Sequence, residues 1–155
     1  MGRINDSWYT TGRDYWETPQ DLFDKLNDEF HFTLDPCATP TSAKCSKYYT
    51  EEEDGLIQSW AGHTVFCNPP YSRTAKGNPG QAAWIKKAYQ ESLKGNTVVM
   101  LLPARTDTKA FHEYIYGKAE IRFIKGRLRY GSGDKEQLAS AAPFPSMIVV
   151  FNPAS

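Results

Sequence analysis

The sequence predicts an α/β fold: a mostly parallel sheet with helices on its faces and an antiparallel hairpin at its C-terminal end. Three observations predict it. Short apolar runs at 64–67, 97–102 and 146–151 alternate with stretches of helical periodicity. The run Thr97 to Leu102 has no polar alternation, the pattern of a strand buried on both faces. Two strand candidates stop at residues that carry chemistry, Asp35-Pro36 and Asn68-Pro69-Pro70-Tyr71. Open α/β sheets hold their ligands outside the carboxyl ends of such strands.

Taken in order, residues 1–14 are polar and predict a mobile arm, with one domain over 15–155. Thr18 as N-cap and Pro19 at the first helical position open a helix that carries Leu22, Phe23, Leu26 and Phe30 at helical spacing. Phe32 to Asp35 alternates as a short strand. A stretch rich in small residues, 39–47, leads to Tyr48-Tyr49, the acidic run 51–54 and Gly55, and Leu56, Ile57 and Trp60 suggest a helical turn. The strand at 64–67 follows, then a loop at 73–80. Ala82, Trp84, Ile85, Ala88, Tyr89 and Leu93 make 81–93 an amphipathic helix, closed by Gly95-Asn96. The central strand ends in Pro103. A helix over 107–117 and strands over 120–124, 127–130 and 146–151 complete the chain.

Bulk properties narrow the function. A chain of 155 residues with 14% aromatics is long enough to bury a core without staples. Lysine and arginine number 18, as do aspartate and glutamate, so contact with nucleic acid must come from a local patch. No apolar run reaches the length of a membrane span, and 1–16 lacks the apolar core of a signal peptide. Gly2 follows Met1, but Asp6 stands where a myristoylation signal needs Ser or Thr. The expectation is a cytoplasmic protein. The three cysteines form no Cys-x-x-Cys pair, and Cys37, Cys45, His63 and Cys67 match no common zinc spacing, so no metal is expected.

Asn68-Pro69-Pro70-Tyr71 is the most demanding motif. Two prolines fix two φ angles and end strand pairing. The Asn68 carboxamide oxygen and the Pro69 carbonyl are acceptors with no competing donor from Pro70, suited to both hydrogens of an exocyclic amine. Tyr71 offers a face on which a base stacks, worth about 1–3 kcal/mol. A planar amino-heterocycle flipped from a duplex suits such a site. The plainer alternative is a strand terminator with Tyr71 capping a core. Asp35 fits either a contact to a nucleoside cofactor or an Asx-turn, and Asp54 either a cofactor contact or a solvated acidic patch.

In combination, Trp16-x-Thr18-Pro19, Leu34-Asp35-Pro36-Cys37-Ala38, Asp54-Gly55-Leu56 and Phe66-Cys67-Asn68-Pro69-Pro70-Tyr71 resemble the compact phage-encoded DNA N-6-adenine methyltransferase family. Leu101-Leu102-Pro103-Ala104-Arg105-Thr106-Asp107-Thr108, Gly126-Arg127-Leu128 and Ala142-Pro143-Phe144-Pro145-Ser146 extend the resemblance to about residues 16–152. It implies a Rossmann-like single domain that transfers a methyl group from S-adenosylmethionine to the N6 amine of adenine in DNA. By position, Asn68, Pro69, Pro70 and Tyr71 would form the catalytic loop. Trp16, Thr18, Pro19, Asp35, Pro36 and Cys37 would line the cofactor pocket, with Asp54 near the cofactor's adenine. No metal is implied, because the methyl sulfonium is already activated. Larger relatives in chemistry carry a glycine-rich turn after Asp-Pro; here the turn is Cys37-Ala38-Thr39-Pro40, without glycine.

For DNA contacts the candidates are basic residues near the strand ends: Arg73 and Lys76 beside the catalytic loop, Arg105 and Lys109 after the central strand, and Arg127 and Arg129 near the late hairpin. Each has the alternative of solvated surface. Competing functions are methylation of a protein glutamine, methylation of cytosine N4, and a non-catalytic nucleic-acid or partner-binding module that keeps only the fold. The glycine-free turn and the Trp-x-Thr-Pro opening favour DNA over protein, and Asn rather than Ser before the prolines favours adenine.

Overall fold

The computed structural model describes residues 17–70, 80–130 and 141–153. Its first helix, α1 (Gln20–Phe30), begins one position later than the capping pattern predicts. Pro19 is the N-cap, with φ −57° and ψ 134°, and its carbonyl accepts the Phe23 N–H at 3.1 Å. Thr18 therefore stands outside the helix, its hydroxyl engaged elsewhere. Asn27 closes the other end: its carbonyl accepts from His31 N–H and its side-chain Oδ1 from Phe32 N–H, both at 2.8 Å.

Strands β1 (Val65–Cys67), β2 (Val98–Pro103), β3 (Glu120–Phe123) and β4 (Ser146–Phe151) form one four-stranded sheet in the order β1-β2-β4-β3. β1 and β2 are parallel, joined through helix α2 (Gly80–Leu93). β4 lies between β2 and β3 and runs antiparallel to both. The sheet is thus mixed, which corrects the expectation of a mostly parallel one. An apolar run buried on both faces looks the same in either direction; pairing, not composition, sets the sense. The segment around Leu34-Asp35 contributes isolated parallel bridges, Leu34 to Val65 and Asp35 to Tyr48, rather than a full strand. The expected strand at 127–130 is likewise one antiparallel bridge, Arg129 to Ala141, backed by Ala142 N–H donating to the Leu128 carbonyl.

Side chains alternate across the sheet and build two cores. Val98, Met100 and Leu102 join Val65, Cys67 and Val149 beneath α2 and a π-helix (Phe111–Ile115). Val99, Leu101, Phe66, Ile148 and Val150 meet Phe23 and Leu26 of α1 on the other face. An edge-to-face pair, Phe23 on Phe66 with centroids 5.2 Å apart, seats α1. Arg122 of β3 grips Glu29 of α1 through two bonds of 2.7 Å and also bonds Glu120. The predicted apolar face of α2 is narrower than the spacing implied, since Ala82 and Leu93 are exposed. At its end the buried Glu91 receives Lys87 at 3.0 Å and the Trp60 N–H at 3.3 Å, fastening the turn before β1 to α2.

Candidate active site

Parallel pairing sends β1 and β2 the same way, so their carboxyl ends open on one edge of the sheet. The Leu34 bridge to Val65 brings Asp35 to that edge as well. Three segments distant in sequence converge there: 17–18 before α1, 34–38, and 67–70 after β1.

Asn68 follows the last residue of β1, with Pro69 and Pro70 buried behind it. Its Nδ2 donates to Thr18 Oγ1 at 2.9 Å, across 50 positions of sequence. Thr18 is itself buried. The bond fixes the plane of the carboxamide and directs its oxygen to the opposite side. Thr18 thus works as a support for Asn68 and not as a helix cap. The N-cap expected at Thr18 is Pro19 instead, because the Thr18 hydroxyl is taken by Asn68.

Asp35 is buried, and burial pushes its carboxyl up to about 6, against the pull of the Lys44 and Cys37 backbone N–H groups. Oδ1 accepts from Cys37 N–H at 3.3 Å and Oδ2 from Lys44 N–H at 3.1 Å. The Asx-turn and the cofactor-contact readings are therefore compatible: the turn bonds hold the carboxylate in place at the sheet edge. The Lys44 side chain reaches Gln20 Oε1 at 2.8 Å, which ties the 39–47 stretch to the start of α1. Lys44 carried no signal in the sequence because its contact is made by the backbone.

Asp54 adopts a left-handed conformation, φ 58°, and its Oδ1 accepts from Leu56 N–H at 3.1 Å. The next residue, Gly55, is packed so tightly on Pro36 that a Cβ would overlap the Pro36 carbonyl oxygen. Trp60 Nε1 donates to the Gly55 carbonyl at 2.9 Å and holds the turn down. The Asp35-Pro36 and Asp54-Gly55 stretches are thereby neighbours.

Cys67 and Cys45 surround Asp35. Burial, then Cys37 and Asp35 nearby, push the Cys67 thiol well up, and burial pushes Cys45 up to about 12. Both shifts favour the neutral thiol, the form of a small apolar side chain. Among the described residues no group of His, Cys, Asp or Glu is disposed to hold a metal ion.

Of the remaining candidates, Trp16, Tyr71, Arg73 and Lys76 lie outside the described residues. Arg105 and Lys109 are exposed beyond the carboxyl end of β2, with the Arg105 guanidinium 6.0 Å from the centre of the Phe144 ring. Arg127 is exposed, donating to the Ala142 carbonyl at 3.4 Å. Arg129 is also exposed, at the bridge to Ala141.

Comparison with known proteins bears directly on this arrangement. A family model described as DNA N-6-adenine-methyltransferase (Dam) matches residues 7–155. A protein of Haemophilus phage HP1 named DNA N-6-adenine-methyltransferase is 31% identical over 145 residues, 91% of this chain and 80% of its own length. One of the same name from Escherichia phage T1 is 33% identical over 118 residues, 75% of this chain but only 47% of its own length, so this chain spans about half of that relative. A putative methyltransferase of Escherichia coli K12, YfdM, is 37% identical over 65 residues, 37% of this chain and 71% of its own length. With its Asn-Pro-Pro carboxamide braced at the sheet edge and a family match from residue 7 to the last, the chain belongs to the DNA N-6-adenine-methyltransferase (Dam) family.

Proposed function

We propose that this chain methylates the N6 amine of adenine in DNA, with S-adenosylmethionine as methyl donor. The observation that carries the reading is the Asn68 Nδ2 to Thr18 Oγ1 bond of 2.9 Å, which presets an amide acceptor at the carboxyl end of β1. In the same reading the sheet is the Rossmann-like sheet of a methyltransferase. The parallel series Tyr48, Asp35, β1, β2 supports this, with β4 inserted antiparallel before β3.

The residues at the edge fit such a donor. A carboxylate offers about four lone-pair sites; Asp35 uses two on its own loop, leaving acceptors for an ammonium group or ribose hydroxyls. Thr18, Pro19, Pro36, Cys37 and Asp54, with Trp16, would complete the pocket. Bound there, S-adenosylmethionine supplies a methyl group activated by a positively charged sulfur.

The chain's own part is alignment and acceptance. Asn68 Oδ1 and the Pro69 carbonyl take the two amine hydrogens, which turns the nitrogen lone pair out of conjugation with the ring. Tyr71 stacks on the base. A proton must leave the nitrogen as the amine is methylated; the two acceptors hold it by hydrogen bonds, and solvent takes it, since neither is basic enough to keep it. Arg105, Lys109 and Arg127, with Arg73 and Lys76, neutralise phosphates of the flanking duplex. With phage relatives, the place of action is the cytoplasm of a bacterial host.

The test is incubation with tritiated S-adenosylmethionine and unmethylated duplex DNA, followed by nucleoside analysis. Label in N6-methyladenine is the expected result. Label in N4-methylcytosine, or cofactor bound with no label in any base, overturns the assignment, the latter in favour of a protein substrate or a fold-only module.

A further inference from the structure

One strand away from Asn68, beyond the carboxyl end of β2, a cleft of about 280 Å³ opens between the start of α2 and the π-helix. Among the described residues, neither Thr18, Asp35 nor Asn68 lines it. Its floor is apolar, with Ile85, Leu102, Phe111 and Met147, and Arg105 and Lys109 stand exposed at its rim. Gln81 is one of the residues that line it, and its Nε2 is buried with no hydrogen-bond partner. A buried donor without a partner is costly and marks a place where a ligand or water completes the bonding. The π-helix, closed by Tyr116 N–H on the Phe111 carbonyl at 2.8 Å, is a rare backbone form that occurs disproportionately at functional sites.

The cleft lies at the lower limit of small-molecule sites, which run from about 300 to 1,000 Å³, and takes one planar heterocycle more readily than a whole nucleoside cofactor. Its chemistry suits a nucleotide: an apolar slot for a ring, cations at the mouth for the phosphate. A side-chain carboxamide sets donor beside acceptor, the complement of the N6/N7 edge of adenine. β1 and β2 are paired neighbours, so the cleft opens beside the strand end that carries Asn68, on the side where an adjacent nucleotide would lie.

We propose that this cleft receives a base adjacent to the target adenine and that Gln81 reads its edge, with preference for adenine, which makes Gln81 a specificity-determining residue. The inference rests on the DNA-methylation reading above and adds how sequence context is selected.

The experiment measures kcat/KM on duplexes with a single target adenine, each neighbouring position in turn occupied by every base or by an abasic site. For the wild-type chain, one neighbouring position should lose about ten- to hundredfold when its adenine is replaced or removed. Gln81→Leu should flatten that preference and lose nothing more on the abasic duplex, with cofactor affinity unchanged. Gln81→Glu should move the preference towards cytosine, whose N4 amine donates to a carboxylate; misfolding cannot imitate that shift. Wild-type enzyme indifferent to every neighbouring position overturns the proposal without any variant, as do Gln81 variants that keep the wild-type ranking. Wild-type chain that labels no adenine in any duplex overturns the methylation reading itself, and this proposal with it.

Discussion

Asn68 and Thr18 show what a single hydrogen bond contributes at the residue scale. Asn68→Ala should leave the fold and cofactor affinity intact and lower turnover by about 10²–10³, the usual loss when a preorganised polar group is removed. Thr18→Val keeps the branched shape and deletes the hydroxyl, and one neutral bond of about 1 kcal/mol predicts a fivefold to tenfold loss. Both are read as kcat for DNA methylation; full turnover in Asn68→Ala sinks the acceptor role. Asp35 makes a prediction of opposite sign for stability and for binding. Its carboxyl titrates at about 6 in the fold against 3.8 outside it, so the folded chain holds the extra proton between those values. The stability from this group is complete below 3.8 and disappears as pH rises through about 6, a change of about 3 kcal/mol. Affinity for a cationic donor should instead rise over the same window, as the carboxylate ionises. Denaturant unfolding and cofactor titration of the wild type and Asp35→Asn between pH 4 and 8 check both slopes. Asn68 and Asp35 were legible in the sequence because their neighbours are prolines. That Thr18 and the Lys44 N–H are their partners was not, since nothing local says which side chain or N–H will arrive from a distant segment.

Elements read well where periodicity is long and poorly where it is short. β4 occupies Ser146–Phe151 as expected, and β2 covers Val98–Pro103, one residue along from the predicted 97–102. The sequence predicts a helix over 107–117; its centre is a π-helix, which a few residues of apolar spacing do not distinguish from an α-helix. Asp54-Gly55 illustrates the other limit. The sequence leaves Asp54 between a cofactor contact and a solvated acidic patch, while the contact of Gly55 with Pro36 belongs to the packing of two loops. Gly55→Ala is expected to cost about 1–3 kcal/mol in denaturant unfolding, as a methyl forced into a filled site does. It should also weaken cofactor binding, because the Asp35-Pro36 backbone has to yield. Wild-type stability in that variant would show the loops to be slack there.

At the scale of the whole molecule, 18 basic residues against 18 acidic ones leave any DNA affinity to a local set of cations, for which Arg105, Lys109 and Arg127 are exposed candidates among the described residues. Removing any of Arg105, Lys109 or Arg127 by alanine should weaken binding to all duplexes alike. Each should reduce the slope of log K against log salt by about 1. Slopes unchanged in all three variants would place the DNA on another face.

By itself the sequence located the apolar runs of β1, β2 and β4 and the prolines that follow or end them, and it nominated Asn68 and Asp35 as candidates for the site. Those are local consequences of hydrophobic period, proline geometry and side-chain donors. Only the tertiary structure decided the direction of β4, the bracing of Asn68 by Thr18, the seating of Asp35 on the Lys44 backbone and the cleft beside Gln81. Each of these depends on which distant surfaces pack together, and a strand or a side chain carries no mark of its eventual partner.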